Sequence, residues 1–417
     1  MQNTLTQQDA LIKKIEGSRD FIIEMQRGLT AIPAISPLSD GEGELDKAVY
    51  LESELRKFSF DEIKRYDAPD PKAKGGVRPN IVARYKGTKG GKKTLWLMSH
   101  LDVVPPGERS MWKTDPYKIH VEGDKIFGRG VEDNQQAVVG SLVLAKAMMD
   151  CGYRPEVDLA LLFVADEENG SGFGADYLME HHSDIFGPKD MFIVPDGGNP
   201  KGSMIEVAEK SIWWMKIHTV GKQCHASMPH LGRNAFRASS DLAVRLGDLY
   251  KKFPKKDPLY NPPISTFEPT KKEPNVPNIN TIPGDDVFYL DSRVLPCYPI
   301  KKVMAEVRKI AKAVEKRHKV KISFSDVQCG EAAPATSPDC ELVRCVVDAA
   351  KQVHGVKAKP EGIGGGTVAA FFRRLGLDAV VYSKLDETAH QPNEYCIIPN
   401  LIGDAKVFAL VAMNAKG

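Results

Sequence analysis

The chain has 417 residues, 42% hydrophobic and 27% charged, the make-up of a soluble globular protein, and it is too long for one ordinary core but suited to two domains. A formal net charge of +2 gives no ground for expecting nucleic acid or an anionic membrane as partner, and no apolar run reaches membrane-spanning length. Seven cysteines, an odd number without Cys-x-x-Cys spacing, argue against a disulfide framework and a thiolate zinc site; with a polar start over residues 1–14 they point to the cytoplasm.

In chain order, Ile12, Ile15, Ile22 and Met25 recur at helical spacing, which predicts an amphipathic helix over 8–29, and a second is expected over 44–58. Residues 80–85 and 95–99 read as strands, the latter buried on both faces. Residues 117–121 and 125–127 flank a Glu-Gly-Asp turn and suggest a hairpin. Gly128-Arg129-Gly130 leads into Val131-Glu132-Asp133-Asn134 and an apolar helix through Met149. A buried strand over 157–165 runs into Asp166-Glu167-Glu168-Asn169-Gly170, and a short one over 191–194 ends at Pro195-Asp196-Gly197-Gly198. Strand, polar loop and helix thus repeat, which argues for a doubly wound, mostly parallel α/β sheet.

After residue 208 the texture changes. Strand 212–220, helix 234–253, strands 263–269 and 286–294, helix 300–317 and strand 320–327 give the β-α-β-β-α-β order of a ferredoxin-like α+β unit. The expected division is a first part of the main domain over 1–208, an inserted domain over 209–329, and a second part over 330–417. The last part holds a helix over 339–353, a Gly-rich loop, a helix from Val368, a strand over 380–383, the loop carrying His390, and a final helix.

His100 and Asp102 close the buried strand at its C-terminal end, where open α/β sheets place their sites. Residues i and i+2 share a strand face, and a metal-bound imidazole usually gives its other N–H to a carboxylate, fixing tautomer and orientation. The pair therefore reads as a metal ligand and the residue that orients it. Asp133 alone reads as a helix N-cap, Glu167-Glu168 as a solvated loop, Asp196-Gly197-Gly198 as a turn, and His390 as an ordinary loop histidine. Together they form a different picture, because one sheet delivers two histidines and several carboxylates to one edge. Mixed His/carboxylate ligation suits a pair of zinc ions, with a carboxylate such as Asp133 able to bridge them. Such a pair can activate water and polarise a carbonyl, and the adjacent glutamates can divide ligation from proton transfer. This is the chemistry of an amide hydrolase.

The motifs Ser-His-Leu-Asp-Val-Val-Pro-Pro-Gly (99–107), Gly-Arg-Gly-Val-Glu-Asp-Asn (128–134), Asp-Glu-Glu-Asn-Gly (166–170), Pro-Asp-Gly-Gly (195–198) and Ala-His-Gln-Pro-Asn-Glu-Tyr (389–395) span nearly the whole chain. On them the sequence resembles the di-zinc exopeptidase and deacylase family of succinyl-diaminopimelate desuccinylase, acetylornithine deacetylase, aminoacylase and glutamate carboxypeptidases. The resemblance implies two Zn²⁺ per subunit, with Co²⁺ or Mn²⁺ as substitutes. Asp133 would bridge them, His100 and Asp196 would complete one site, and Glu168 and His390 the other. Glu167 would be the general base and Asp102 the residue orienting His100, and a cis peptide would follow Asp133.

The inserted domain would serve as dimerisation domain and lid. Gly-Lys-Gln-Cys-His-Ala-Ser-Met-Pro-His-Leu-Gly-Arg-Asn-Ala (221–235) matches the family too, and by resemblance His225 reaches the active site of a partner subunit, in a homodimer, to stabilise the oxyanion. Without that likeness it reads as a polar residue after a strand. Asn280 and Arg293 occupy substrate-binding positions by the same likeness, and a guanidinium can hold a carboxylate in two hydrogen bonds; read alone, Arg293 is an ion-pair partner of Asp291. Gly364-Gly365-Gly366-Thr367 lacks the spacing of a phosphate loop and resembles the family's Gly-Gly-Thr loop, placing Gly366 and Thr367 at the substrate.

The leading expectation is an enzyme that removes an N-acyl group, succinyl or acetyl, from an amino acid with a free carboxylate. A dipeptidase or carboxypeptidase of the same family, acting on short peptides, is the alternative. A non-catalytic binding protein for amino-acid derivatives would require loss of Glu167 or a ligand, and every one of those positions is filled. A two-metal phosphoesterase would need a further cationic clamp that the sequence does not offer.

Overall fold

The structure, a computed structural model, describes residues 6–417; the first five residues of the polar start fall outside that range. The chain divides into two compact units. One comprises the residues up to Val207 with Pro334–Pro360 and Thr367–Gly417, the other Ala208–Ala333 with Glu361–Gly366.

The first unit is built on an eight-stranded sheet in the order Glu62–Pro69, Val77–Tyr85, Asp158–Val164, Thr94–His100, Met191–Gly198, Asp378–Ser383, Met204–Glu209, Lys359–Ile363. Strands 158–164, 94–100, 191–198 and 378–383 run parallel at its centre. Every residue of Thr94–His100 and of Asp158–Val164 is buried, as expected of parallel strands covered on both faces. On one face Trp96, Phe192 and Phe372 stack, with the last two rings 3.9 Å apart between centroids. Helices Gln135–Asp150 and Ile398–Asn414 are buried nearly all round, so neither carries a strong amphipathic signal.

Register decides where the polar strand ends meet. His100 pairs with Val164, and Leu97 with Ile193. The residues after 164 therefore leave the sheet level with His100, and three steps beyond Leu97 and Ile193 bring His100 and Asp196 abreast. The site is a consequence of strand length.

The second unit is a four-stranded antiparallel sheet in the order Thr266–Lys272, Asp285–Val294, Ser211–Val220, Lys321–Gly330. Alternate residues Trp213, Met215 and Ile217 of the third of these point into a core completed by Leu242, Leu246, Val303, Val307 and Val314 of helices Ala235–Leu246 and Ile300–His318. The Asn234 side chain caps the first helix by accepting the Arg237 N–H at 2.9 Å.

Several expected elements differ. The helix over 8–29 is two helices, Gln7–Glu16 and Arg19–Thr30, because Gly17 and Ser18 favour a break over a continuous turn. The helix over 234–253 likewise breaks at Gly247 and Asp248 into Ala235–Leu246 and Leu249–Lys252. The strand expected over 263–269 is Thr266–Lys272, since consecutive prolines at 262 and 263 cannot donate to a ladder. Strands Glu62–Pro69, Met204–Glu209 and Lys359–Ile363 have no counterpart among the expected elements. Among the described residues no helix is long and apolar enough to cross a membrane.

Candidate metal centre

His100 ends its strand 2% exposed. Its Nδ1 lies 3.0 Å from the main-chain oxygen of Asp102 and 3.4 Å from the Asp102 carboxylate. The nearer partner for the ring is thus a carbonyl, which still fixes the tautomer with Nε2 facing the site. The Asp102 carboxylate is engaged elsewhere: it accepts the N–H groups of Glu167 and Glu168, each at 3.0 Å. One residue orients the histidine through its backbone and pins the two glutamates through its side chain.

Asp133 sits in the turn before helix Gln135–Asp150, ahead of a cis Asp133-Asn134 peptide. Its Oδ1 is 3.0 Å from His100 Nε2 and its Oδ2 is 3.1 Å from His390 Nε2. Asp196 Oδ1 lies 3.6 Å from His100 Nε2, and Glu168 Oε2 lies 3.0 Å from His390 Nε2. Two donor groups result, His100–Asp133–Asp196 and Asp133–Glu168–His390, sharing Asp133. Glu167 joins neither, so the adjacent glutamates are separated by geometry. Asn134 ties the first group together, its Oδ1 accepting the His100 N–H at 3.3 Å and its Nδ2 donating to Asp196 at 2.5 Å and to Pro195 O at 3.2 Å.

The loops that carry these groups hold unusual backbone. Asp166 and Ser171 around the glutamates, and Glu387, His390 and Asn393 around the second histidine, all have φ near +60°, a region non-glycine residues occupy where surroundings impose it. Beneath Asp166 the buried Arg78 guanidinium pairs with Glu44, with Asp166 at 3.2 Å and with Asp70 at 3.5 Å. At Gly130 φ is +84°, and a Cβ there would stand 2.5 Å from the Val103 side chain, which leaves room for no other residue.

Charge in the cluster is strongly unbalanced. Burial pushes the Asp196 carboxyl up to about 6. Burial, with Asp196 beside it, raises Glu167 well above the usual carboxylate range. Burial opposes charge on His100, but Asp196, Asp102 and Asp133 outweigh it and raise its pKa; hydrogen bonds to Asp133 and Glu168 raise His390 to about 10. Five carboxylates around two imidazoles attract positive charge. Donor atoms bound tetrahedrally to one zinc at about 2.0–2.2 Å lie roughly 3.3–3.6 Å apart, close to the 3.0–3.6 Å separations of the imidazole–carboxylate pairs here. The donor set of nitrogen and oxygen, without thiolate, suits Zn²⁺, Co²⁺ or Mn²⁺. The residues fit a pair of divalent cations.

The sequence of residues 96–414 matches the family described as peptidase family M20/M25/M40. The chain belongs to this family. It is 38% identical, over 93% of its length and 98% of the relative's, to an uncharacterised metallohydrolase of Methanococcus maripaludis. It is 27% identical, over 88% of its length and 92% of the relative's, to succinyl-diaminopimelate desuccinylase of Sphingopyxis alaskensis. The fold is similar to that of the dipeptidase Dug1p of Saccharomyces cerevisiae, with a TM-score of 0.72, 18% identity and 98% of each chain covered. This member of the M20 family is a metal-dependent hydrolase of the peptidase or deacylase kind, and M20 enzymes act on peptides or acylated amino acids.

The other expected site residues of this M20 hydrolase lie in the second unit or at its edge. His225 is exposed in the short strand Cys224–His225, which pairs with Thr281–Ile282. Its Nδ1 accepts the Ser227 N–H at 3.2 Å and meets Ser227 Oγ at 2.7 Å, which in the neutral ring leaves the proton on Nε2. Asn280 adjoins it, its main-chain oxygen accepting the Ala226 N–H at 2.8 Å. Arg293 donates through Nε and Nη2 to Asp291 at 2.9 and 3.0 Å and through Nη1 to Gly364 O at 2.7 Å. It therefore forms the ion pair that its sequence neighbour suggests, and reaches the Gly-rich loop as well. A Cβ added at Gly366 would meet the Ile212 side chain at 3.6 Å, ordinary contact, so space alone does not demand glycine there, and Thr367 O accepts the Ala370 N–H at 3.2 Å in the first unit, as helix Ala369–Arg374 begins. Sequence reasoning assigns no part to Asn134, Glu132, Glu394 or the buried Lys47, whose ammonium burial pushes down to about 8 although Asp102, Glu44 and Glu394 favour its charge.

Proposed function

We propose that this chain is a two-zinc amidohydrolase that removes an N-acyl group of the succinyl or acetyl type from an amino acid with a free carboxylate. The observation that carries the reading is the double-facing Asp133, one oxygen toward His100 and the other toward His390. Relatives named succinyl-diaminopimelate desuccinylase and acetylornithine deacetylase, the latter from Dictyostelium discoideum at 26% identity, support the acyl-amino-acid class.

His100, Asp133 and Asp196 would hold one cation, and Asp133, Glu168 and His390 the other. When bound, the pair supplies a Lewis acid for the scissile carbonyl and lowers the pKa of a water toward about 7. Glu167 would take a proton from the attacking water as the C–O bond forms and return it to the amine nitrogen, after which the C–N bond breaks and the carbonyl is restored as a carboxylate. Asp102 keeps Glu167 in place through the Glu167 N–H. His225 offers Nε2–H to the developing oxyanion. Arg293, with the Gly366-Thr367 loop and Asn280, receives the substrate carboxylate, for which the guanidinium must exchange part of its pairing with Asp291.

The reading is tested by turnover of the zinc-loaded protein on N-succinyl, N-acetyl and N-formyl amino acids beside unblocked dipeptides and C-terminal glutamate conjugates, with released amine measured. One acyl amino acid standing well above the rest is the expected result. Preference for dipeptides would transfer the chain to the peptidase branch. For His225, mixed Glu167→Ala and His225→Ala chains should recover activity that neither has alone if the histidine serves a partner subunit in a homodimer. No recovery after demonstrated subunit exchange would confine it to its own chain.

A further inference from the structure

Two buried glutamates stand beside the metal ligands without joining them. Glu394, 0% exposed and four residues beyond His390, turns its carboxylate back onto the turn that carries Asp133. It accepts from Arg129 Nη1 at 2.6 Å, Gly130 N at 2.9 Å, Glu132 N at 2.9 Å and Asp133 N at 3.1 Å. Glu132, 4% exposed and next to Asp133, reaches the opposite way. It accepts from Asp386 N at 2.9 Å, from Thr388 N and from Thr388 Oγ1 at 2.7 Å. Each loop thus supplies the carboxylate that satisfies the other loop's backbone donors.

The two donor groups depend on this clasp unequally. His100 closes a fully buried strand at the centre of the sheet, and Asp196 lies near the end of the adjacent strand Met191–Gly198, half-buried and bonded by Asn134 Nδ2. His390 has a side chain 55% exposed, on a loop in which Glu387, His390 and Asn393 all hold positive φ. Its side chain is little restrained by packing: on the approach to His390 the loop is bonded to Glu132 through Asp386 and Thr388, and beyond it Asn393 bonds to Lys113 N and Met111 O.

We propose that Glu132 and Glu394 are positioning residues forming a reciprocal clasp, through which Glu132 sets the metal affinity of the Asp133–Glu168–His390 group alone, and Glu394 that of both groups. The asymmetry follows from what each holds. Glu132 grips the loop of one ligand, His390, whereas Glu394 grips the backbone of Asp133, which serves both groups. This rests on the two-metal reading given above.

The test is zinc titration of the metal-free full-length protein against a competing chelator, with ion stoichiometry measured on the same samples. Wild type should bind two ions; fewer than two would overturn the two-metal reading itself. Glu132→Gln places an amide N–H group against backbone donors. It should weaken one ion by about 10–100-fold, the usual effect of losing such a supporting bond, and leave the other at the affinity that remains in His390→Ala. Glu394→Gln should weaken both. Thermal unfolding in chelator separates this from general damage, since a merely structural role lowers the melting temperature of the metal-free protein without distinguishing the two ions. Thr388→Ala is the milder companion should Glu132→Gln fail to fold, and it should weaken the same ion by a smaller factor. Unchanged affinities in Glu132→Gln, or equal weakening of both ions, would overturn the clasp, as would an unchanged Thr388→Ala standing in for it.

Discussion

Glu167→Ala should bind as much metal as wild type yet turn over acylated substrate about 10²–10⁴-fold more slowly, the usual range for a lost general base. The expectation comes from the separation of two adjacent glutamates. Glu168 meets His390 at 3.0 Å and belongs to a donor group, whereas Glu167 belongs to none. Asp102 holds both backbones at equal distance, so the difference lies in where the side chains point. Burial, with Asp196 beside it, raises the Glu167 carboxyl above the usual carboxylate range, the direction that makes a carboxylate a stronger base. Metal content and turnover measured on one preparation decide the matter. Glu168→Ala is the control and should lose an ion. Unchanged turnover in Glu167→Ala would remove it as the base, and loss of an ion would make it a ligand.

What the sequence reveals about this molecule depends on the kind of physics involved. Leu95, Trp96, Leu97 and Met98 announce a buried strand because a parallel strand is apolar on both faces. Glu62–Pro69 announces nothing, since an edge strand with partly exposed residues needs only backbone pairing with Val77–Tyr85. Gly17 is visible as a weak helix former but not as a break, because apolar spacing continues across it into Ile22 and Met25. At the site, the ligand candidates are legible as acidic and histidine residues just past strands, at a helix start or in a loop, and the register of central strands brings His100 and Asp196 abreast. The supporting residues are not. Asp102, Glu132 and Glu394 act as acceptors for backbone N–H groups far along the chain, and that use of a carboxylate has no spacing to recognise. Asp102 illustrates the difference: its i+2 position identifies it as the partner of His100, but its side chain commits its two oxygens to Glu167 and Glu168.

Asp133→Ala should remove both ions and lower turnover by about 10³–10⁴-fold or more, as expected when several kcal/mol of Lewis-acid stabilisation disappears. No other single ligand should do this. Asp133 Oδ1 faces His100 and Oδ2 faces His390, so each donor group falls from three protein atoms to two when the carboxylate goes. Asp196→Ala and His390→Ala each deplete one group and should each leave one ion bound. Stability gives a readout independent of turnover. An ion that binds only the folded chain stabilises it by about 4 kcal/mol at a thousand times its dissociation constant. Zinc should therefore raise the melting temperature of the metal-free wild type and leave that of Asp133→Ala where it was. Chelator should reproduce the variant's inactivity in wild type, and added zinc should reverse it there but not in Asp133→Ala. Retention of one tightly bound ion by Asp133→Ala would mean that the two donor groups do not share this carboxylate in solution, and the bridging arrangement would have to be abandoned.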